Sequence, residues 1–369
     1  MVLDPGNRRD FLRGRLPDSG RARPLPTDGS AVPIGMPLAD APAGSSTLRW
    51  TTRAMACDFS VILNPGSSDD VMAASSALDA AHEWEDLLSV YREQTLISRV
   101  NREAAEAAVQ LPADLFRLLD LAARISAETR GAFDLTTGPL IARWRTCRSA
   151  RRIPTQRELD EDLTSVGMRH IIFDQAGQTV RFALPGASLN LGAIGKGFAL
   201  DQIGMRLQQA GVRHWLLHGG RSSILACGDH QGTGGWPIGI GNPLFTDRRL
   251  GTILLVDQAM GTSGSNIQFF HHAGRRYGHI LDPRTGWPVD GVLSVTAIAP
   301  TAALADALST AFYVMGLDEI RRYCDSHPEV GAIVIPFPAA DRRVAPLVIG
   351  FDIQRLFWDG DQVRGQLAS

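Results

Sequence analysis

The chain has few of the features that would mark a specialised class. Only four cysteines occur in 369 residues, at Cys57, Cys147, Cys227 and Cys324, and no two of them form a CxxC pair. That spacing excludes the usual zinc and disulfide frameworks and leaves four ordinary, largely buried thiols. Charge of one sign is lacking too, because 37 Lys and Arg stand against 39 Asp and Glu for a net charge of -2, with the basic residues dispersed. A nucleic-acid partner is therefore not expected. No apolar run reaches the roughly 18 residues that a membrane-spanning helix needs, so no transmembrane segment is expected either.

What is present is an ordinary globular composition, 44% hydrophobic with 37 Gly and 21 Pro, long enough for a substantial core. Residues 1–46 are rich in Gly, Pro, Arg, Asp and Ser without periodicity and read as a poorly ordered leader. Within it NRRDFLRG, 7–14, resembles a twin-arginine export motif, but the polar GRLPDSGRARPLPTDG comes next where such a signal has an apolar stretch. RAMAC, 53–57, likewise lacks the preceding apolar run of a lipoprotein anchor. The expected compartment is the cytoplasm, or the far side of a membrane by the twin-arginine route if the leader works. The expected organisation is one domain over 47–345 and a C-terminal extension over 346–369.

Along the domain, TLRWTTRAMACDFSVIL alternates and ends at Asn64-Pro65-Gly66, the pattern of a strand closed by a turn. Val71, Ala74, Leu78, Ala81, Trp84 and Leu88 fall at helical spacing, predicting an amphipathic helix over 69–88, and a second helix is predicted from Ala113 to Thr129. HIIFD and TVRFAL flank a hairpin turn at 175–178. HWLLHGG, SSILACG, WPIGIG, GTILLVDQAM and VLSVTAIAP read as short strands with glycine boundaries. FALDQIGMRLQQAG and TAALADALSTAFYVMG read as helices. Strands and helices interleave without a regular βαβ period, so the expected class is α+β with antiparallel sheet.

Three segments carry chemistry. In NLGAIGKGFALD, 190–201, three glycines lie between a strand end and a helix start with Lys196 at its mouth, a pattern that suits phosphate but also suits a plain strand-to-helix turn. In YGHILDPRTGWPV, 277–289, His279 has the reference pKa of a general base or acid, and is equally open to a structural role. Asp282 in the same segment could simply accept the N–H groups of its own turn. On the apolar helix ALADALSTAFYVMG, Asp306 and Thr310 are four residues apart and share a face, offering hard oxygens to a cation such as Mg²⁺. A carboxylate inside an apolar run is costly unless partnered. GAFDLTTGPLIARW, AMGTSGSN and HGGRSSILACG are small-residue segments suited to close backbone contact with a ligand.

Taken in order, MACDFSVIL, SVYREQTLISRVN, GAFDLTTGPLIARW, NLGAIGKGFALD, LLHGG, MGTSGS, GHILDPRTGWPV and ADALSTAF resemble the ApbE family of FAD:protein FMN transferases over about residues 48–340. The resemblance implies an α+β, two-lobed fold of antiparallel sheets and packed helices that holds FAD between its lobes, with Mg²⁺ beside the pyrophosphate. It implies Asp306, Thr310 and the Ala193 carbonyl as metal ligands, and His279 as catalytic. It implies Met55, Tyr91, Ala132, Phe133, Asp134, Asn190 and Lys196 as FAD contacts. The implied reaction is protein flavinylation, in which FMN passes from FAD to a threonine hydroxyl in a short motif of an acceptor flavoprotein and AMP leaves. Water in place of threonine would make an FAD pyrophosphatase, and loss of catalysis would leave an FAD-binding protein. The chain departs from the family in having Asn190 where Asp is common and Arg221 after the double glycine where Asp usually stands.

Overall fold

A computed structural model describes residues 46–245, 247–264, 269–338, 344–360 and 363. All but the last residue of the expected leader lies outside these residues, and so do positions 265–268, which include the end of the AMGTSGSN segment. At the centre of the fold is an eight-stranded sheet in the order Leu48–Ala54, Cys57–Leu63, Trp215–Gly219, Ser223–Cys227, Ala259–Gly264, Val292–Ala299, Gly331–Pro336 and Leu347–Ile349. Every neighbouring pair in it is antiparallel.

Side chains alternate across these strands. Leu217, Leu225, Val295, Ala297 and Val334 join a core shared with the helices, whereas Leu216, Ile224, Ile298, Ile333 and Ile335 point to the opposite face. On that face a three-stranded sheet, Trp236–Gly241, Arg249–Leu255 and Leu356–Trp358, completes a second core with Trp236, Ile238 and Ile253. Burial on both faces explains why Gly331–Pro336, GAIVIP, reads as one apolar run rather than an alternation. On the helical face the Ala302–Val314 helix is buried almost all round and packs against the Gly195–Gln209 helix. A smaller cluster of Leu140, Trp144, Leu159, Val166, Tyr277 and Leu281 ties the Gly138–Ser149 and Gln156–Leu163 helices to the Phe269–His272/Arg275–Gly278 hairpin and the loop after it.

The α+β expectation agrees with this arrangement, and several local details differ from the pattern. The first predicted strand is a hairpin, folded back between Ala54 and Cys57 at Met55 and Ala56, which take φ of 49° and 60°. Both turn residues are left-handed, the geometry of a two-residue hairpin turn that Asn or Gly would signal and that Met-Ala does not. The predicted helix over 69–88 is two helices, Ser68–Ala77 and Asp79–Leu88, that abut at Leu78. The run GTILLVDQAM is broken at Asp257 (φ 49°) into strands of two different sheets. Residues beyond 345 supply an edge strand to each of those sheets, Leu347–Ile349 and Leu356–Trp358. Among the described residues no helix is long and apolar enough to cross a membrane.

Candidate active site

The glycine turn is held from behind. The Asn101 amide donates to the Leu189 carbonyl at 2.9 Å and accepts the Leu189 N–H at 2.7 Å, which pins the chain just before the turn. Asn190 then bends the backbone by accepting the Gly192 N–H on its side-chain oxygen at 2.9 Å. The N-cap residue of the Gly195–Gln209 helix, Ile194, makes no side-chain cap bond. Of the helix's first N–H groups, Gly195 donates to the Leu191 carbonyl at 2.8 Å, and the helix start as a whole remains a partly positive mouth. Lys196 stands at this mouth with its side chain partly exposed.

Facing this mouth is Asp306, 5% exposed. Its Oδ2 accepts the Gly197 N–H at 2.8 Å and the Ser223 hydroxyl at 3.0 Å, and Lys196 Nζ stands 3.9 Å away. Burial pushes the carboxyl up, while Lys196, Ser223 and Gly197 pull it back. Among the described residues Oδ1 has no hydrogen-bond partner, so the side chain keeps a hard oxygen in reserve. Thr310, one turn on, makes only long bonds, 3.3 Å to Ser263 Oγ and 3.4 Å to the Asp306 carbonyl. A spare carboxylate oxygen beside a weakly engaged hydroxyl fits a small oxygen-seeking cation such as Mg²⁺. No three His, Cys, Asp or Glu side chains gather among the described residues. A cation here would thus complete its shell with carbonyl, water or ligand phosphate oxygens. Ala193 lies in the same turn, three residues before Lys196.

Two glycines let the elements come this close. A Cβ on Gly197 would lie 2.0 Å from the Ala302 carbonyl oxygen, and one on Gly261 would lie 2.4 Å from that of Ala305. The Ala302–Val314 helix is thereby held in backbone contact from two sides. Asp201, one turn along from Gly197, accepts the Ala302 and Ala303 N–H groups on its two oxygens at 2.7 and 2.9 Å. Burial raises the Asp201 carboxyl to about 7, with those two N–H groups opposing the shift.

The other expected contacts differ in their surroundings. Met55 occupies the left-handed hairpin tip, and Cys57 two residues on lies within electrostatic range of Lys196 and Asp306. Tyr91 is 72% exposed, with the Arg145 guanidinium 5.2 Å over its ring. Ala132 and Phe133 are fully buried in the core, so only their backbone is available to a ligand. The Asp134 carboxylate is spent within the protein, accepting the Thr136 N–H of its own loop at 2.7 Å and the Met168 N–H of a distant segment at 3.0 Å. A cavity of about 590 Å³, within the usual range for ligand pockets, runs between Gly131, Asp134 and Met168 on one side and Pro283 and Arg284 on the other. His279 is exposed and begins the loop that carries Arg284. Asp282 takes the structural alternative, accepting the Arg284 N–H at 2.9 Å and both ends of its guanidinium at 2.9 Å.

The ApbE family's model matches residues 55–334, more than half of the chain. The chain belongs to the ApbE family. Among curated relatives, a Klebsiella pneumoniae FAD:protein FMN transferase is 31% identical over 271 residues, 73% of this chain and 83% of the relative. One from Treponema pallidum is 32% identical over 276 residues, 71% and 75% of the two chains. Among solved structures, the ApbE protein of Thermotoga maritima superimposes with a TM-score of 0.72 at 27% identity, over 79% of this chain and 94% of that one. A mutant of the Vibrio cholerae flavin transferase ApbE gives 0.71 at 25% identity, over 83% and 98%. The ApbE match takes in both the glycine turn and the Asp306 helix.

Ser223, Asn101 and Asp201 do not stand out as site residues in the sequence. Ser223 sits in a run of small residues after Gly219-Gly220, where nothing distinguishes it from Ser222. The signal that could have found Asp201 is its place four residues after Gly197, on the face of the Gly195–Gln209 helix that carries the glycine.

Proposed function

We propose that this chain transfers FMN from FAD to a threonine hydroxyl of an acceptor flavoprotein, releasing AMP, with Mg²⁺ bound at Asp306, Thr310 and the Ala193 carbonyl. The observation that carries it is Asp306, a buried carboxylate with one oxygen uncommitted among the described residues, bonded to the first turn of the Gly195–Gln209 helix and set beside Lys196. A buried charge of this kind is costly for a structural residue and useful beside a cation and a pyrophosphate. Membership of ApbE and relatives named FAD:protein FMN transferase support the same reading.

In this reading the threonine oxygen attacks the FMN-side phosphorus, the bond from that phosphorus to the bridging oxygen breaks, and AMP departs with that oxygen. His279 takes the threonine proton, because a neutral hydroxyl is a weak nucleophile. The helix mouth and Lys196 hold the pyrophosphate oxygens as charge develops on them. When bound, Mg²⁺ supplies neutralisation of the same charge. Met55, Tyr91, the Ala132–Asp134 backbone and Asn190 hold the rest of FAD.

The deciding experiment incubates the purified chain with FAD and Mg²⁺, with and without an acceptor flavoprotein that a known transferase labels. AMP release that needs the acceptor, with covalent flavin fluorescence on a denaturing gel, is the expected result. AMP and FMN without acceptor would make the chain a pyrophosphatase, and intact FAD in both reactions would make it a binding protein.

A further inference from the structure

We infer that Asp201 is the positioning residue of the metal site. It fixes the helix that carries Asp306 and Thr310 against the turn that carries Ala193, Lys196 and Gly197. The inference rests on the proposed role of Asp306 and Thr310, and goes beyond it in giving a task to a residue outside the reacting groups.

A helix start leaves its first N–H groups without partners inside the helix. In the Ala302–Val314 helix Thr301 answers in the ordinary way, accepting the Leu304 N–H on its hydroxyl. The Ala302 and Ala303 N–H groups are answered from another helix, by the two oxygens of Asp201 at 2.7 and 2.9 Å. A half-buried carboxylate, largely withdrawn from water, is a costly way to cap a helix that already has a threonine cap. What it adds is a cross-link. Gly197 and Asp201, four residues apart on one face of the Gly195–Gln209 helix, grip the second helix at two points. Gly197 holds the Asp306 carboxylate and Asp201 holds the first turn.

The two grips act in parallel on the same pair of helices. With Gly197 in backbone contact at Ala302, as its 2.0 Å virtual Cβ shows, the helices are free to slide along each other but not to approach. The paired Asp201 bonds oppose that slide. Release of Asp201 would let Asp306 and Thr310 drift relative to the Ala193 carbonyl, and Mg²⁺ tolerates little departure from octahedral geometry.

The test measures divalent cation binding directly, by electron paramagnetic resonance of Mn²⁺ added to the full chain saturated with FAD, corrected for Mn²⁺ on FAD alone. Asp201→Ala is compared with Asp201→Asn, which keeps one acceptor oxygen, and with Thr301→Ala, which removes a cap from the same helix without touching the cross-link. Thermal midpoints in EDTA report the stability of each. We expect Asp201→Ala to weaken Mn²⁺ at least tenfold and Asp201→Asn by a smaller factor, while Thr301→Ala stays within twofold despite a comparable loss of stability. If Asp201→Ala does not fold, Asp201→Asn decides. Binding within twofold of wild type in the Asp201 variants, or equal loss in Thr301→Ala, overturns the inference. A wild-type chain that binds no Mn²⁺, or that binds it equally well after Asp306→Ala, overturns the metal reading beneath it.

Discussion

At the residue scale, the role proposed for Asp306 sets stability against chemistry. Its carboxylate is removed from water and is opposed by one lysine 3.9 Å away, a distance at which the pair recovers only part of the desolvation penalty. Asp306→Asn keeps the shape and an acceptor for the Gly197 N–H while removing the charge. The expected outcome is a thermal midpoint in EDTA equal to or above that of wild type, together with at least a 100-fold loss of flavin transfer, roughly what one strong electrostatic group contributes. Saturating Mg²⁺ should raise the midpoint of wild type by linkage and leave that of the variant unmoved. Calorimetry with and without Mg²⁺ checks both statements. His279 has the opposite character, being exposed and outside the apolar core. His279→Gly should lower transfer by about 10² to 10⁴ while FAD affinity, read by flavin fluorescence quenching, changes by less than threefold. Equal transfer rates would remove His279 from the mechanism.

At the scale of elements, the site is where three backbones meet too closely for side chains. A methyl group on Gly197 or Gly261 would drive the Ala302–Val314 helix back by more than 1 Å from contacts of 2.0 and 2.4 Å. Gly197→Ala and Gly261→Ala should each cost about 2 kcal/mol or more of stability and reduce transfer about 100-fold through misplacement of Asp306. Gly219→Ala, whose Cβ would find Phe59 and Leu200 at 3.4 and 3.5 Å, is the matched control and should stay near wild type. Urea unfolding and initial rates on the three variants separate these outcomes. Glycine-bounded apolar runs and the 302–314 periodicity announce strands and a buried helix from the sequence alone, because burial and turn chemistry are written locally. The Met55–Ala56 reversal carries no local signature, since the strands it joins, and not the turn residues, hold it at positive φ. Ser223 reaches Asp306 across 83 positions of sequence, and only the pairing of strands puts it there.

At the scale of the whole molecule, the central sheet is buried on two sides, and its strand order could not have been read from periodicity. Ser223–Cys227 lies beside Ala259–Gly264 although both strands between them in the chain leave for the smaller sheet. With both faces apolar, alternation no longer says which side a residue takes. One polar side chain caught in this layered body gives the fold a pH dependence. His218 lies on the Trp215–Gly219 strand, opposite Ser60 and Ile224 in the neighbouring strands. Arg49 is close by, bonded to Ser60 at 3.0 and 3.2 Å. Burial first and the Arg49 charge second push the imidazole from 6.5 down to about 4. The folded state therefore holds His218 neutral where the unfolded chain would protonate it. Its contribution is complete above the unfolded value of 6.5 and is lost as pH falls toward the folded value of about 4. Between about pH 7 and pH 5 that loss amounts to roughly 2 kcal/mol. Urea unfolding across this range should show the midpoint falling with pH at constant m-value. His218→Gln, which cannot titrate, should remove about that much of the fall. A slope unchanged in the variant would mean that His218 is already charged in the fold and that the acid sensitivity of the layered body lies elsewhere.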